Sequence, residues 1–208
     1  MESLDERIED SGVVAFDFDG TLTTHDSYTA FLRWRAGAVR YHIGLIKLLP
    51  AAIAYIGHRD RGRIKAAATR EFLRGVPREK IEADAQTFAQ LMAPRLLRPD
   101  ALRTWRRWGQ RRAKLVIVTA SPQIIVGPFA RGLGADMLLG TELSFDERDR
   151  ATGAFASANC RGHEKVLRLQ EVFGPDIRLR AAYGDTSGDR EMLAIAEEPG
   201  YRAFQEKP

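Results

Sequence analysis

The residues Val13-Val14-Ala15-Phe16-Asp17-Phe18-Asp19-Gly20-Thr21 set two carboxylates one residue apart at the end of an unbroken apolar run. A short run without polar alternation predicts a strand covered on both faces, as in a parallel sheet. Like charges at its end repel each other and prefer water, so the pair needs either a capping job or a cation. The arrangement recurs: "KLVIVTAS" ends in Thr119 and Ser121, and "IRLRAAYGD" ends in Asp185, with Asp189 four residues further on. Helical periodicity separates the three runs. Strands alternating with helices predict an α/β fold with a doubly wound parallel sheet, whose ligand site lies at the carboxyl ends of its strands.

With 208 residues and 44% hydrophobic content, the chain is long enough for one core and a small insertion. From Asp26 to about Leu91 the pattern is helical, in "SYTAFLRWRAG", "RIKAAATREFLRG" and "REKIEADAQTFAQLM". We therefore expect a helical cap over 25–95, inserted into a core formed by 1–24 and 96–208. Within the core, "PDALRTWRRWGQRRA" predicts a helix and "QIIVGPFARGLG" a helix interrupted at Pro128. "MLLGTELSFDERDRATGAFAS" predicts a small β-hairpin flap, and "SGDREMLAIAEE" a last helix.

In a parallel sheet the strand ends point one way, so Asp17, Asp19, Thr119, Asp185 and Asp189 converge. Several carboxylates at one edge call for a hard cation among them. Mg²⁺ suits oxygen ligands and retains waters that a phosphate oxygen can replace. Lys165, at the start of "GHEKV", brings a point charge to the same phosphate. The set reads as a phosphoryl-transfer site, where positioning and charge neutralisation dominate.

Asp17-Phe18-Asp19-Gly20-Thr21, Thr119 after "LVIV", Lys165 and Gly184-Asp185-Thr186-Ser187-Gly188-Asp189 resemble, in order, the four motifs of the haloacid dehalogenase superfamily. The insertion between the first two is similar to the cap of its phosphoserine-phosphatase-like branch. The resemblance implies that Asp17 is the nucleophile that becomes aspartyl-phosphate, and that Asp19 is the acid and then the base. It implies a metal held by Asp17, the main-chain carbonyl of Asp19 and Asp185, with Asp189 behind these ligands. Thr119 and Lys165 would bind the phosphoryl oxygens. Gly188 departs from the branch's pattern, where an asparagine often stands. Asp26 lies where phosphoserine phosphatases carry a glutamate that reads the substrate ammonium; here it either contacts substrate or caps the helix beginning "SYTAFL".

Residues 43–57 are almost wholly apolar, with Arg33, Arg35 and Arg40 on one side and Arg59, Arg61, Arg63 and Lys65 on the other. The run is shorter than the ~20 residues a spanning helix needs, and Pro50 interrupts it. It is either an interfacial segment on an anionic membrane or a buried cap helix. Its position and "CRGHEKV" resemble the phosphatidylglycerophosphatase C group, which implies a phospholipid headgroup phosphate. A soluble phosphoserine-like or other small-metabolite phosphatase is the second reading. A phospho-accepting signalling module is the third, opposed by Asp19 and by the cap.

The remaining features restrict partners and compartment. Lys+Arg exceed Asp+Glu by 32 to 28, a bias that does not by itself indicate nucleic acid. Around "RTWRRWGQRRAK", the preceding Leu102 falls on one helical face with Trp105 and Trp108, and these are expected to cover the sheet while the arginines face water, so no nucleic-acid partner is expected. The lone Cys160 has no intrachain disulfide partner and no metal ligands at suitable spacing. The acidic "MESLDERIEDSG" is unlike a secretory signal, so the expected location is cytoplasmic, or peripheral on the inner face of the membrane.

Overall fold

The computed structural model describes residues 12–48 and 61–208. Five strands, β1 (Val13–Phe16), β2 (Lys114–Pro122), β3 (Met137–Thr141), β6 (Leu179–Gly184) and β7 (Ala196–Tyr201), form one sheet in the order β3-β2-β1-β6-β7. Every neighbouring pair is parallel. β1 lies at the centre, with Val14, Ala15 and Phe16 fully buried, which is why its sequence carries no polar alternation. A second, two-stranded antiparallel unit pairs β4 (Leu143–Phe145) with β5 (Ala151–Phe155). The doubly wound sheet and the hairpin are both present as expected.

The helices are α1 (Ser27–Lys47), α2 (Arg61–Leu73), α3 (Arg78–Leu96), α4 (Pro99–Gln110), α5 (Gln123–Leu133), α6 (His163–Phe173) and the short α7 (Arg190–Ala194). α1 bends at Gly37, whose φ of 73° breaks the helical run. The segments that flank α1 to α3 lie side by side: Thr24 N–H donates to the Leu96 carbonyl at 2.8 Å, and Arg98 N–H to the Leu22 carbonyl at 2.9 Å. Phe88 of α3, fully buried, packs against Phe31 and Trp34 of α1 and against Phe129 of α5, with ring centroids 5.5, 5.6 and 6.0 Å away. This aromatic cluster joins α1 and α3 to the sheet's helical cover. On α4, Trp105 and Trp108 are buried while Arg103, Arg106 and Arg107 face solvent, as the periodicity predicts.

Four boundaries differ from the sequence expectation. β1 stops at Phe16, so Asp17 and Asp19 stand in the turn beyond it rather than on the strand. The run Met137–Thr141 belongs to the large sheet as β3; only the later residues make the hairpin. α5 continues through Pro128, which is buried, because the packing of Ile125, Val126 and Phe129 holds the helix despite the lost N–H. The last helix ends at Ala194, and Ala196–Tyr201 pair with β6 as an edge strand that tolerates Pro199 because one side of it has no ladder to feed.

Of the apolar run 43–57, residues 49–57 lie outside the described residues. Its described part belongs to α1, where Val39, Ile43, Leu45 and Ile46 are exposed. Among the described residues, no helix is long and apolar enough to cross a membrane.

Candidate active site

The carboxyl ends of β1, β2 and β6 meet under the α1–α2 pair around a cavity of about 590 Å³. Asp17, Asp19, Thr119, Lys165, Asp185 and Asp189 all line it, and Asp26 stands at its rim. Asp17 is the first residue past β1, and its N–H donates to the Tyr183 carbonyl of β6 at 2.8 Å, which fixes it against the neighbouring strand end. Gly20 then turns the chain with φ 86°. A Cβ there would collide with the Asp185 carboxylate, so only glycine permits this approach.

Lys165 is 1% exposed and all three of its ammonium hydrogens are used: on Asp17 Oδ1 at 2.6 Å, Asp189 Oδ1 at 2.7 Å and the Val118 carbonyl at 2.6 Å. Asp189 Oδ2 accepts from the Thr186 N–H and hydroxyl, both at 2.9 Å, and from the Asp185 N–H at 3.2 Å. The Thr21 hydroxyl contacts Asp185 Oδ1 at 3.4 Å. Asp19 points elsewhere: Ser121 Oγ donates to its Oδ2 at 2.5 Å and Ser27 N–H to its Oδ1 at 2.7 Å. Thr119 Oγ1 accepts from Ser121 N–H at 3.0 Å, which leaves its own proton for a ligand.

Burial sets the charges here. It pushes the Asp17 carboxyl up to about 7, with Lys165 opposing and the Asp189 and Asp19 charges adding to it. Burial and the Asp26 charge also raise Asp19, against the hydrogen bonds from Ser121 and Ser27. Burial and Asp189 raise Asp185. Burial disfavours the charged form of Lys165, but Asp17 and Asp189 outweigh it and push the ammonium up to about 12. Asp189 is held low: burial acts upward, and Lys165 with the Thr186 hydrogen bonds overcomes it.

Each of Asp17, Asp185 and Asp189 offers a carboxylate oxygen within 4.8 Å of the others. One ammonium among three carboxylates leaves excess negative charge, and the donors are all oxygen, so the set fits a hard cation such as Mg²⁺. The Asp19 carboxylate lies outside this cluster, which leaves to its main-chain oxygen any share in holding a metal.

Asp26 caps α1, accepting from Thr29 N–H at 2.6 Å, while still bordering the cavity. Two cations that sequence reasoning placed elsewhere also reach this cavity. Lys65, read as a flank of the apolar run, extends from α2 to the Ala120 carbonyl and lies 5.6 Å from the Tyr28 ring centroid. Arg161, which enters the sequence reading only as part of "CRGHEKV", lies against the 186–188 turn. No local signal identifies either one, because both act across more than twenty residues of chain.

The family model for haloacid dehalogenase-like hydrolases matches residues 14–194. The chain belongs to that family. Its relatives include Protein CicA of Caulobacter vibrioides, 61% identical over 196 residues that cover 94% of this chain and 88% of CicA. Among solved structures, a Bordetella pertussis protein of unknown function is similar with TM-score 0.75 at 18% identity, covering 90% of this chain and 87% of that one. A phospho-aspartyl intermediate analogue of phosphoserine phosphatase is similar with TM-score 0.60 at 21% identity, covering 90% and 84%. These two share the fold. The ordered motifs read from the sequence thus correspond to family membership across nearly the whole chain.

Proposed function

We propose that the chain is an Mg²⁺-dependent phosphomonoester phosphatase that works through an aspartyl-phosphate on Asp17. The observation that carries this reading is the pairing of two differently used carboxylates at one strand end. Asp17 is gripped by Lys165 beside Asp185 and Asp189, while Asp19, two residues on, is turned toward Ser121 with its proton affinity raised.

In the first step, an Asp17 carboxylate oxygen attacks phosphorus and Asp19 gives its proton to the departing alkoxide. In the second, Asp19 takes a proton from water as the water oxygen attacks phosphorus, and inorganic phosphate leaves with Asp17 restored. Lys165 and Thr119 orient the phosphoryl oxygens. Asp17, Asp185 and the Asp19 carbonyl would hold Mg²⁺, with Asp189 beside them, and the ion supplies neutralisation of phosphoryl charge. In this reading 25–95 forms the substrate-selecting cap over a core of 1–24 and 96–208, and Asp26 borders the leaving group.

For the leaving group we favour a phospholipid headgroup. The cavity has an apolar side at Tyr28, Leu32, Ile64 and Ala68, and α1 carries exposed Val39, Ile43 and Ile46 at helical spacing beside Arg40 and Lys47. Such a face suits peripheral contact with an anionic membrane from the cytoplasmic side. The test is phosphate release from phosphoserine, sugar phosphates and phosphatidylglycerophosphate, with and without EDTA and anionic vesicles. Activity that survives Asp17→Asn or EDTA overturns the mechanism. Preference for a soluble phosphoester, unaffected by vesicles, replaces the lipid headgroup with a small metabolite.

A further inference from the structure

Gly188 sits in the turn after β6, buried, with no positive φ that would require glycine. What excludes a side chain there is Arg161. A Cβ on residue 188 would come within 2.6 Å of Arg161 Cγ, Cζ and Nη1. The arginine therefore lies across the glycine, held by Nη1 on Thr186 Oγ1 at 3.3 Å and Nη2 on Ser187 Oγ at 3.1 Å. Beneath it, Gly162 N–H donates to the Gly188 carbonyl at 2.8 Å, tying the entry to α6 to the same turn.

A chain of hydrogen bonds runs inward from this seat. Thr186 Oγ1 receives two N–H groups, from Arg161 and from Gly188 at 3.2 Å, which fill both acceptor sites of a hydroxyl. Its single proton must then point to Asp189 Oδ2, 2.9 Å away. The other oxygen of Asp189 holds the Lys165 ammonium, which in turn grips Asp17. We propose that Arg161 is a positioning residue: through Thr186 and Asp189 it fixes where Lys165 stands relative to Asp17. Gly188 is small in order to leave room for it. The inference rests on the phosphatase reading above.

The test is a double-mutant cycle on the full chain, with p-nitrophenyl phosphate and Mg²⁺. Arg161→Ala is expected to lower kcat about tenfold while KM changes little, because the loss falls on alignment rather than on substrate contact. Gly188→Ala keeps the arginine but pushes it off its seat, so it should lower kcat similarly. The double variant should be no slower than either single one, and Arg161→Lys should fall between wild type and Arg161→Ala. In urea denaturation, which needs no turnover, Gly188→Ala should lower the midpoint when residue 161 is Arg and leave it unchanged when residue 161 is Ala. Wild-type kcat in Arg161→Ala, losses that multiply in the double variant, or a raised KM at unchanged kcat would each overturn the role. A wild-type chain that releases no phosphate, with the midpoint cycle intact, overturns the phosphatase reading instead and leaves the Arg161 seat standing.

Discussion

Replacing Lys165 with methionine keeps most of the side-chain volume and removes a buried ammonium with three hydrogen bonds, two to carboxylates. The climb of this group from its ordinary 10.5 to about 12 is worth roughly 2 kcal/mol in favour of the charged form, after the cost of burying it. That stabilisation is fully present below about pH 10.5 and is lost as pH rises through about 12. The variant loses more than this, since Asp17 and Asp189 are left facing each other with no cation. Removing one partner of a buried pair costs about 3–5 kcal/mol. The penalty should be largest near pH 8, where Asp17 is ionised, and smaller at pH 5, where a carboxyl held up to about 7 carries its proton. Urea denaturation of the metal-free protein at both pH values measures it. A loss under about 1 kcal/mol at pH 8, or a larger loss at pH 5 than at pH 8, would refute this account of the charge balance.

Asp19→Asn should spare attack on an activated ester and block the second step, so p-nitrophenyl phosphate is expected to give a burst of about one equivalent followed by turnover ~10²–10⁴-fold slower; unchanged steady turnover contradicts the acid–base role. Phe88→Ala, at the centre of the aromatic cluster between α1, α3 and α5, should cost about 3–5 kcal/mol in urea denaturation. A much smaller loss would mean that this cluster does not hold α3 to the core. The Cys160 thiol, fully buried and pushed by burial from 9.0 up to about 11, should carry roughly 100-fold less thiolate at pH 8 than an exposed thiol. Its reaction with a disulfide reagent is expected to be slow in the native protein and immediate in urea, and fast native labelling would contradict its burial.

Much of the candidate site could be read from the chain because the polar groups that line it stand next to strand ends, and strand ends are marked by local composition. Asp17, Asp19, Thr119 and Asp185 each follow an apolar run, and a parallel sheet turns that sequence regularity into spatial convergence. The elements that differ from the sequence expectation depend on neighbours instead. Pro128 breaks no helix because Ile125, Val126 and Phe129 pack around it. Ala196–Tyr201 become a strand because β6 offers an unpaired edge, a circumstance no local pattern records.

The sequence by itself thus determined the alternating α/β plan, the helical character of the stretch between the first two strands and the carboxylates at the strand ends, because periodicity and composition act within a few residues. Only the tertiary structure decided which neighbours each of those carboxylates meets. Asp17 and Asp19 are two residues apart, yet one faces Lys165 and Asp189 while the other faces Ser121 and Ser27, groups brought to them by distant parts of the chain. The same holds for Lys65 and Arg161, whose charges reach the cavity through contacts with residues 55 and 25 positions away. Hydrogen bonds and desolvation depend on position in space, and the chain alone does not specify that until it is folded.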